Sequence, residues 1–480
     1  MRDSRVAWSI LERLGRLDRG SNPRCPIQVF DGRSMKKVIA FLLILLTANA
    51  VYGVSEITLN DVERPNGAVL FIVDGLGSSY FYPEYTPYAI DGNGLLKTDA
   101  PNLTFGSRVV DVKVPTPSTG IAHSVIVTGY SGADEELVGY PDATLYDVTR
   151  RYGFINMAIM QKGDFSNMRK EQDIIMYSPN NSINNPSVSI QANNPYDGIY
   201  ELMYDWKMKF PAYLDNKSGY ERYSAYNKWG IDAASAVVWE MAAKHPSQRF
   251  LLTVNIGAID SGGHYLGNDD YVRLISDLDR DFYPLYEMAS ENNIALFFTA
   301  DHGMSFAVKG AQRGGHGSGK YSSMQESLRI PFAVFSSNVD AGVLQGEYGQ
   351  EDIAPTVLGV LDLPDTLQYG DGEAINLKNY ASVFVNADTG YNVSLWSNGV
   401  RVTGGSDSEL VFAGLPLNAN YRIEAAGSGG KYDEEFVLDS DKLFSFIDDK
   451  PGFGKREMIA AGLIMVVNVA GLIVIRRIKD

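Results

Sequence analysis

Five short runs of apolar residues punctuate the middle of the chain, at 68–73, 154–160, 250–254, 294–299 and 331–335. Each is continuous rather than alternating, the pattern of a buried strand in a parallel sheet. Between them the periodicity turns helical. Residues 231–244 are alanine-rich with helical spacing. From 270 to 292, Val272, Ile275, Leu278, Phe282, Leu285 and Met288 fall on one helical face. Strands alternating with long helices predict an α/β domain over residues 60–377, a doubly wound, mostly parallel sheet sandwiched by helices. Residues 178–196, rich in Asn, Pro and Ser, predict a long surface loop.

Beyond residue 380 the pattern changes. Short alternating runs at 382–385, 391–396, 399–402, 409–412, 421–425 and 435–438 are separated by turn residues. They predict a small antiparallel β-sandwich over 380–448. It carries no evident chemistry; a spacer role is preferred over a sugar-binding module.

The two ends have their own patterns. Lys36 and Lys37 precede an apolar run from 38 to 46, then Ala48-Asn49-Ala50. Residues 35–53 therefore read as a signal peptide starting at Met35. Residues 1–34 hold seven arginines and no lysine, and are expected to be a non-native or cytoplasmic leader. Residues 457–475 are apolar enough to span a bilayer, and Arg476, Arg477 and Lys479 follow. The expectation is a cell-membrane protein with one C-terminal transmembrane helix and its catalytic domain outside the cytoplasm. Sequons at Asn102, Asn180, Asn216 and Asn392 are compatible with that side.

Composition narrows the chemistry. The 480 residues carry a net charge of −16, which disfavours a nucleic-acid scaffold role. The single cysteine, Cys25, excludes a disulfide framework and a thiolate zinc site. Any metal must be bound by carboxylates and by the five histidines.

Polar residues cluster just past the apolar runs. Asp74 follows the first, Asp260 and His264 the third, and Asp301 and His302 the fourth. His316 lies in a glycine-rich segment, where the backbone can approach something closely. Sites in such sheets form beyond the carboxyl ends of strands. Three aspartates and three histidines exceed one tetrahedral site and suit two zinc ions, or manganese in a more oxygen-rich site. An aspartate after a strand is often only a helix cap; the weight lies in the ordered set. His123 and His245 have no such company. Ser118 and Thr119 precede a helical run at 121–128, so a hydroxyl meets unpaired amides and a positive dipole end. Alone, they would read as helix caps.

With these motifs the sequence resembles the alkaline phosphatase superfamily, which includes nucleotide pyrophosphatase/phosphodiesterases, phosphoglycerate mutases and sulfatases. The likeness runs from about Gly67 to Leu377. It implies that Thr119 is the nucleophile. It further implies that Asp260, His264 and His316 hold one metal, while Asp74, Thr119, Asp301 and His302 hold the other. The implied activity is hydrolysis of phosphoric esters, monoester or diester. A phosphotransferase acting on a surface lipid or glycan, and a non-catalytic surface protein, are the alternatives.

Departures from the family pattern are informative. No C/S-x-P-x-R motif surrounds Thr119, which argues against a sulfatase. The stretch 138–142 lacks the asparagine usual in the phosphodiesterase branch. Lys162, Arg169 and Arg313 are candidates for gripping the phosphate, although each reads more readily as a surface charge.

Overall fold

The computed structural model describes residues 55–447 except 61, 164, 197 and 428. The expected leader (1–34), signal peptide (35–53) and membrane helix (457–475) lie outside the described residues. Among those described, no helix is long and apolar enough to cross a membrane.

Strand β1 (Ser55–Thr58) opens the described chain. Then come β2 (Gly67–Val73), β3 (Ser107–Lys113), β4 (Ile155–Met160), β5 (Ile174–Tyr177), β6 (Ser189–Ala192), β7 (Phe250–Ile256) and β8 (Ile294–Ala300). A short ribbon, β9 (Ser305–Phe306) with β10 (Gly314–Gly315), precedes β11 (Arg329–Phe335) and β12 (Gly342–Gly349). Nine of these form one sheet in the order β12-β3-β11-β8-β2-β7-β4-β5-β6. The stretch β8-β2-β7-β4-β5 is parallel throughout. Every residue of β2, β7 and β8 is buried, as their continuous apolar runs require.

Two expectations need correction. The run at 331–335 is a strand, but β11 lies antiparallel to both β8 and β3. A parallel return usually uses a crossover helix, whereas the chain between β8 and β11 holds the ribbon, turns and two one-turn helices at 321–323 and 325–328. The expected loop at 178–196 contains β6, an edge strand antiparallel to β5.

The main helices are α1 (Thr119–Thr128), α2 (Ile199–Leu214), α3 (Gly219–Lys244), α4 (Ala258–Tyr265), α5 (Asn268–Glu291) and α6 (Ile353–Val360). The apolar stripe of α5 lies on the sheet, where Phe282 meets Phe71 edge-on at 5.0 Å and Phe298 at 5.2 Å. Helix α3 starts twelve residues before its alanine-rich half, because Tyr223, Tyr226 and Trp229 are buried in the earlier turns.

The C-terminal region holds β13 (Tyr380–Ala387), β14 (Asn392–Ser397), β15 (Val400–Gly405), β16 (Glu409–Pro416), β17 (Ala419–Gly427), β18 (Gly430–Leu438) and β19 (Lys442–Phe446). They make two four-stranded sheets, β1-β16-β13-β19 and β15-β14-β17-β18. Val383 and Phe412 from one sheet share an apolar cluster with Leu395 and Ile423 from the other. The sheets are not wholly antiparallel as expected. β1 joins β16 in parallel, and β19 joins β13 in parallel. Neither pair is a hairpin: β1 arrives from before the α/β domain, and β19 crosses from the opposite sheet. Lys378 ties the region to the α/β domain, bonding Asp362 at 2.6 Å and Asp441 at 2.9 Å.

Candidate active site

The carboxyl ends of the strands bring all seven expected residues together. Asp74 follows β2 directly, and Asp301 and His302 follow β8. Asp260 and His264 lie on α4, which begins two residues after β7. Thr119 is the first residue of α1, with Ser118 at the cap position but making no side-chain cap bond. His316 follows the ribbon strand β10. Two glycines make the closeness possible. Gly75 has φ +76°, and a Cβ there would lie 2.7 Å from Asp260 Cα. A Cβ at Gly314 would lie 2.8 Å from the Met304 sulfur.

Each of the three histidines is oriented by the backbone. Nδ1 of His264 lies 3.1 Å from the Gly314 carbonyl, Nδ1 of His316 is 2.7 Å from that of Pro117, and Nδ1 of His302 is 3.0 Å from that of Gly303. A carbonyl accepts only, so Nδ1 carries a proton in each and the neutral ring presents a lone pair at Nε2. Those lone pairs converge. Nε2 atoms of His264 and His316 are 3.1 Å apart, and Asp260 Oδ1 is 3.2 Å from the first and 3.4 Å from the second. Nε2 of His302 is 3.1 Å from Thr119 Oγ1, 3.4 Å from Asp301 Oδ2 and 3.6 Å from Asp74 Oδ1. Acceptors gathered this way call for a cation between them.

The carboxylates make the same demand. Asp74 Oδ1, Asp260 Oδ1 and Asp301 Oδ2 are buried without a hydrogen-bond partner. The other oxygen of Asp301 takes the backbone N–H groups of Gly75 and His302 at 2.9 and 2.7 Å, which aims Oδ2 into the site. Burial pushes the Asp74 carboxyl up to about 6, against the pull of Lys162. Burial and the Asp74 charge push Asp301 well above the usual carboxylate range. Burial acts on Asp260 in the same sense, but Lys162, His264 and His316 outweigh it and hold Asp260 well below that range. His302 is driven down to about 3 by burial and then by His316, so it is neutral. The Asp260 carboxylate beside it raises His264, so a positive charge is favoured there, the same demand a metal ion would meet. Ligand atoms of Asp74, Asp301 and His302 lie within 4.8 Å of one another, as do those of Asp260, His302 and His316, so His302 stands between two potential metal clusters.

Lys162 is the main correction at the site. It is no surface charge: its Nζ lies 3.1 Å from Asp74 Oδ2 and 3.1 Å from Asp260 Oδ2. Burial opposes its charge, and those two carboxylates more than restore it, so it remains an ammonium. Arg169 instead lies over the Tyr177 ring, and Arg313 is exposed. His245 caps α3 and contacts Tyr196. His123 belongs at the site after all, with Nδ1 3.5 Å from Asp301 Oδ2. Its position one helical turn after Thr119 is the signal the sequence offers for it. The site opens on one side: among the three site histidines His264 is the most exposed, at 32%, while Asp74, Asp301 and His302 are fully buried.

Comparison with known proteins bears on this geometry. The sulfatase family model matches residues 267–363, the stretch that holds Asp301, His302 and His316. No curated protein matches the chain in sequence. Among solved structures, alkaline phosphatase PafA shares 14% identity at a TM-score of 0.47, covering 66% of this chain and 99% of its own. The putative sulfatase yidJ from Bacteroides fragilis shares 13% at 0.42, covering 79% and 90%. Alkaline phosphatase from the Antarctic bacterium TAB5 shares 14% at 0.39, covering 62% and 99%. Likeness at this level says nothing about activity. The family match covers residues 267–363 alone, and over that stretch the chain is similar to sulfatases.

Proposed function

We propose that the chain hydrolyses phosphoric esters through Thr119, with two divalent cations bound beside it. The observation that carries this reading is the Thr119 hydroxyl, set at the start of α1 and 3.1 Å from His302 Nε2. Asp260, His264 and His316 would hold one cation. Asp74, Asp301 and His302, with the Thr119 oxygen, would hold the other. Two imidazoles and one carboxylate in the Asp260, His264 and His316 set, 3.1–3.4 Å apart, would suit zinc by donor type.

When bound, the cations would lower the pKa of the Thr119 hydroxyl and offset charge on the phosphoryl oxygens. Thr119 Oγ1 attacks phosphorus in line: an O–P bond forms, and the bond to the departing oxygen breaks. The threonine proton goes to solvent, and the departing alkoxide takes one from it. Water entering on the open His264 side then cleaves the phosphothreonine, returning the hydroxyl and inorganic phosphate. Free amides of the first turn of α1 face the same region as Oγ1 and favour negative charge there. With cations bound at the Oδ1 atoms of Asp74 and Asp260, those carboxylates would need Lys162 less as a counter-charge, and its ammonium would be able to hold a phosphoryl oxygen.

A sulfate ester is the competing substrate, since the family match is to sulfatases. Thr119 weighs against it. Sulfatases work through an aldehyde made from cysteine or serine, and oxidation of a secondary alcohol gives a ketone instead. From the apolar run at 457–475 and the basic residues after it, we further propose that the catalytic domain faces out of the cytoplasm, near surface phosphate esters. Thr119→Ala should abolish release of nitrophenol from p-nitrophenyl phosphate while the metal content holds. Retained turnover rejects the nucleophile, and faster cleavage of p-nitrophenyl sulfate rejects the substrate class.

A further inference from the structure

His123 takes no part in the attack on phosphorus, yet it is 1% exposed and bonded at both nitrogens. It lies one turn after Thr119 on α1, with its ring stacked on Phe165 at 4.2 Å. The proton on this ring can be located from its neighbours. The backbone N–H of Lys162 donates to Asn255 Oδ1 at 3.0 Å. That fixes the amide, so Asn255 Nδ2 is the atom facing His123 Nε2 at 3.1 Å. An amide nitrogen only donates, so Nε2 accepts and the neutral ring's one proton sits on Nδ1. Nδ1 in turn lies 2.9 Å from the Thr119 carbonyl oxygen and 3.5 Å from Asp301 Oδ2.

We infer that His123, oriented by Asn255, is a positioning residue for the nucleophile: its Nδ1–H holds the Thr119 carbonyl and thereby the direction of Oγ1. This rests on Thr119 being the nucleophile. The chain of bonds runs from the Lys162 backbone through Asn255 and His123 to Thr119. It joins the ends of β4 and β7 to the first turn of α1. The nucleophile and the Lys162 ammonium are therefore referenced to one rigid frame, and the Nδ1–H also faces the Asp301 oxygen aimed at the site. Displacements of about 1 Å at a reacting atom can cost roughly a hundredfold in rate.

The test uses three substitutions that separate hydrogen bonding from packing. Asparagine at 123 puts an amide near the place of Nδ1, whereas glutamine reaches only the place of Nε2. In the zinc-loaded protein, His123→Ala should lower kcat roughly tenfold to a hundredfold, with zinc per chain unchanged and KM within about twofold. His123→Asn should restore kcat to within about fivefold of the wild type, and His123→Gln should stay as low as His123→Ala. Nitrogen-15 histidine spectra of the metal-free protein should show His123 as the Nδ1–H form, assigned by its loss in His123→Asn. A full-rate His123→Ala, equal rates for the asparagine and glutamine variants, or an Nε2–H spectrum overturns the inference. A wild type whose turnover survives Thr119→Ala sinks the nucleophile assignment instead, and the spectrum still decides the His123–Asn255 pairing.

Discussion

His264 and His316 bring their Nε2 atoms to 3.1 Å of one another across 52 residues of sequence. Both rings spend their Nδ1 proton on a carbonyl, so two lone pairs face each other beside a buried carboxylate. A bound cation converts that repulsion into stability. Dialysis against a chelator should lower the melting temperature, and zinc should restore it. At a free concentration of 100 times Kd the stabilisation is about 2.7 kcal/mol. His316→Ala should retain at most one of two ions by elemental analysis. A chelated protein that melts like the untreated one contradicts the assignment.

Lys162 offsets the buried charge of Asp74 and Asp260 when no cation is bound. Lys162→Met should cost the metal-free protein about 3–5 kcal/mol in urea unfolding, because buried carboxylates lose their counter-charge. Saturating zinc should recover most of that loss. The loaded variant should show a KM for the phosphate ester raised roughly tenfold, from one lost charged hydrogen bond. Equal stability of the two metal-free proteins, or an unchanged KM, would count against this role.

Proton and metal compete for Asp74. Its folded pKa, about 6, lies above its ordinary 3.8, so this carboxyl helps the metal-free fold when protonated. That contribution is complete at low pH and is lost as pH rises through about 6. Cation binding needs the carboxylate. The rise in melting temperature on adding zinc should therefore be small near pH ~5 and grow toward pH ~7. A rise that ignores pH speaks against Asp74 as a ligand.

Lys378 is 6% exposed and bonds Asp362 on one side and Asp441 on the other. Burial raises Asp362, but Lys378 and Arg64 outweigh it and hold the carboxyl below its usual range. Lys378→Met should destabilise the protein by about 3–5 kcal/mol, read from the denaturant midpoint. The site lies elsewhere, so kcat should stay within about twofold. Unchanged stability would show that this network is not what fastens the C-terminal sheets.

Asp74, Asp260, Asp301 and His302 are legible in the sequence because each stands past a strand whose apolar run is unbroken, whereas His316 is marked only by its glycines and Thr119 by the helix it opens. Asp74 after β2 and Asp301-His302 after β8 follow directly from that geometry. Lys162 is not legible in the same way. One lysine past β4 looks like any solvated charge, and what defines it is Asp260, 98 residues away. Strand direction is also hidden, since periodicity is the same for β11 whichever way it runs. β12 is largely exposed and offers no apolar pattern at all. β1 leaves no local sign because its partner, β16, lies at the far end of the sequence.

The most direct measurement is acid-quenched turnover with a phosphorus-labelled monoester, followed by peptide mapping. The account predicts label on the peptide that contains Thr119, released as phosphothreonine, and none on Thr119→Ala, with Ser118→Ala labelled like the wild type. Steady turnover with no labelled threonine, or label that persists in Thr119→Ala, would contradict it.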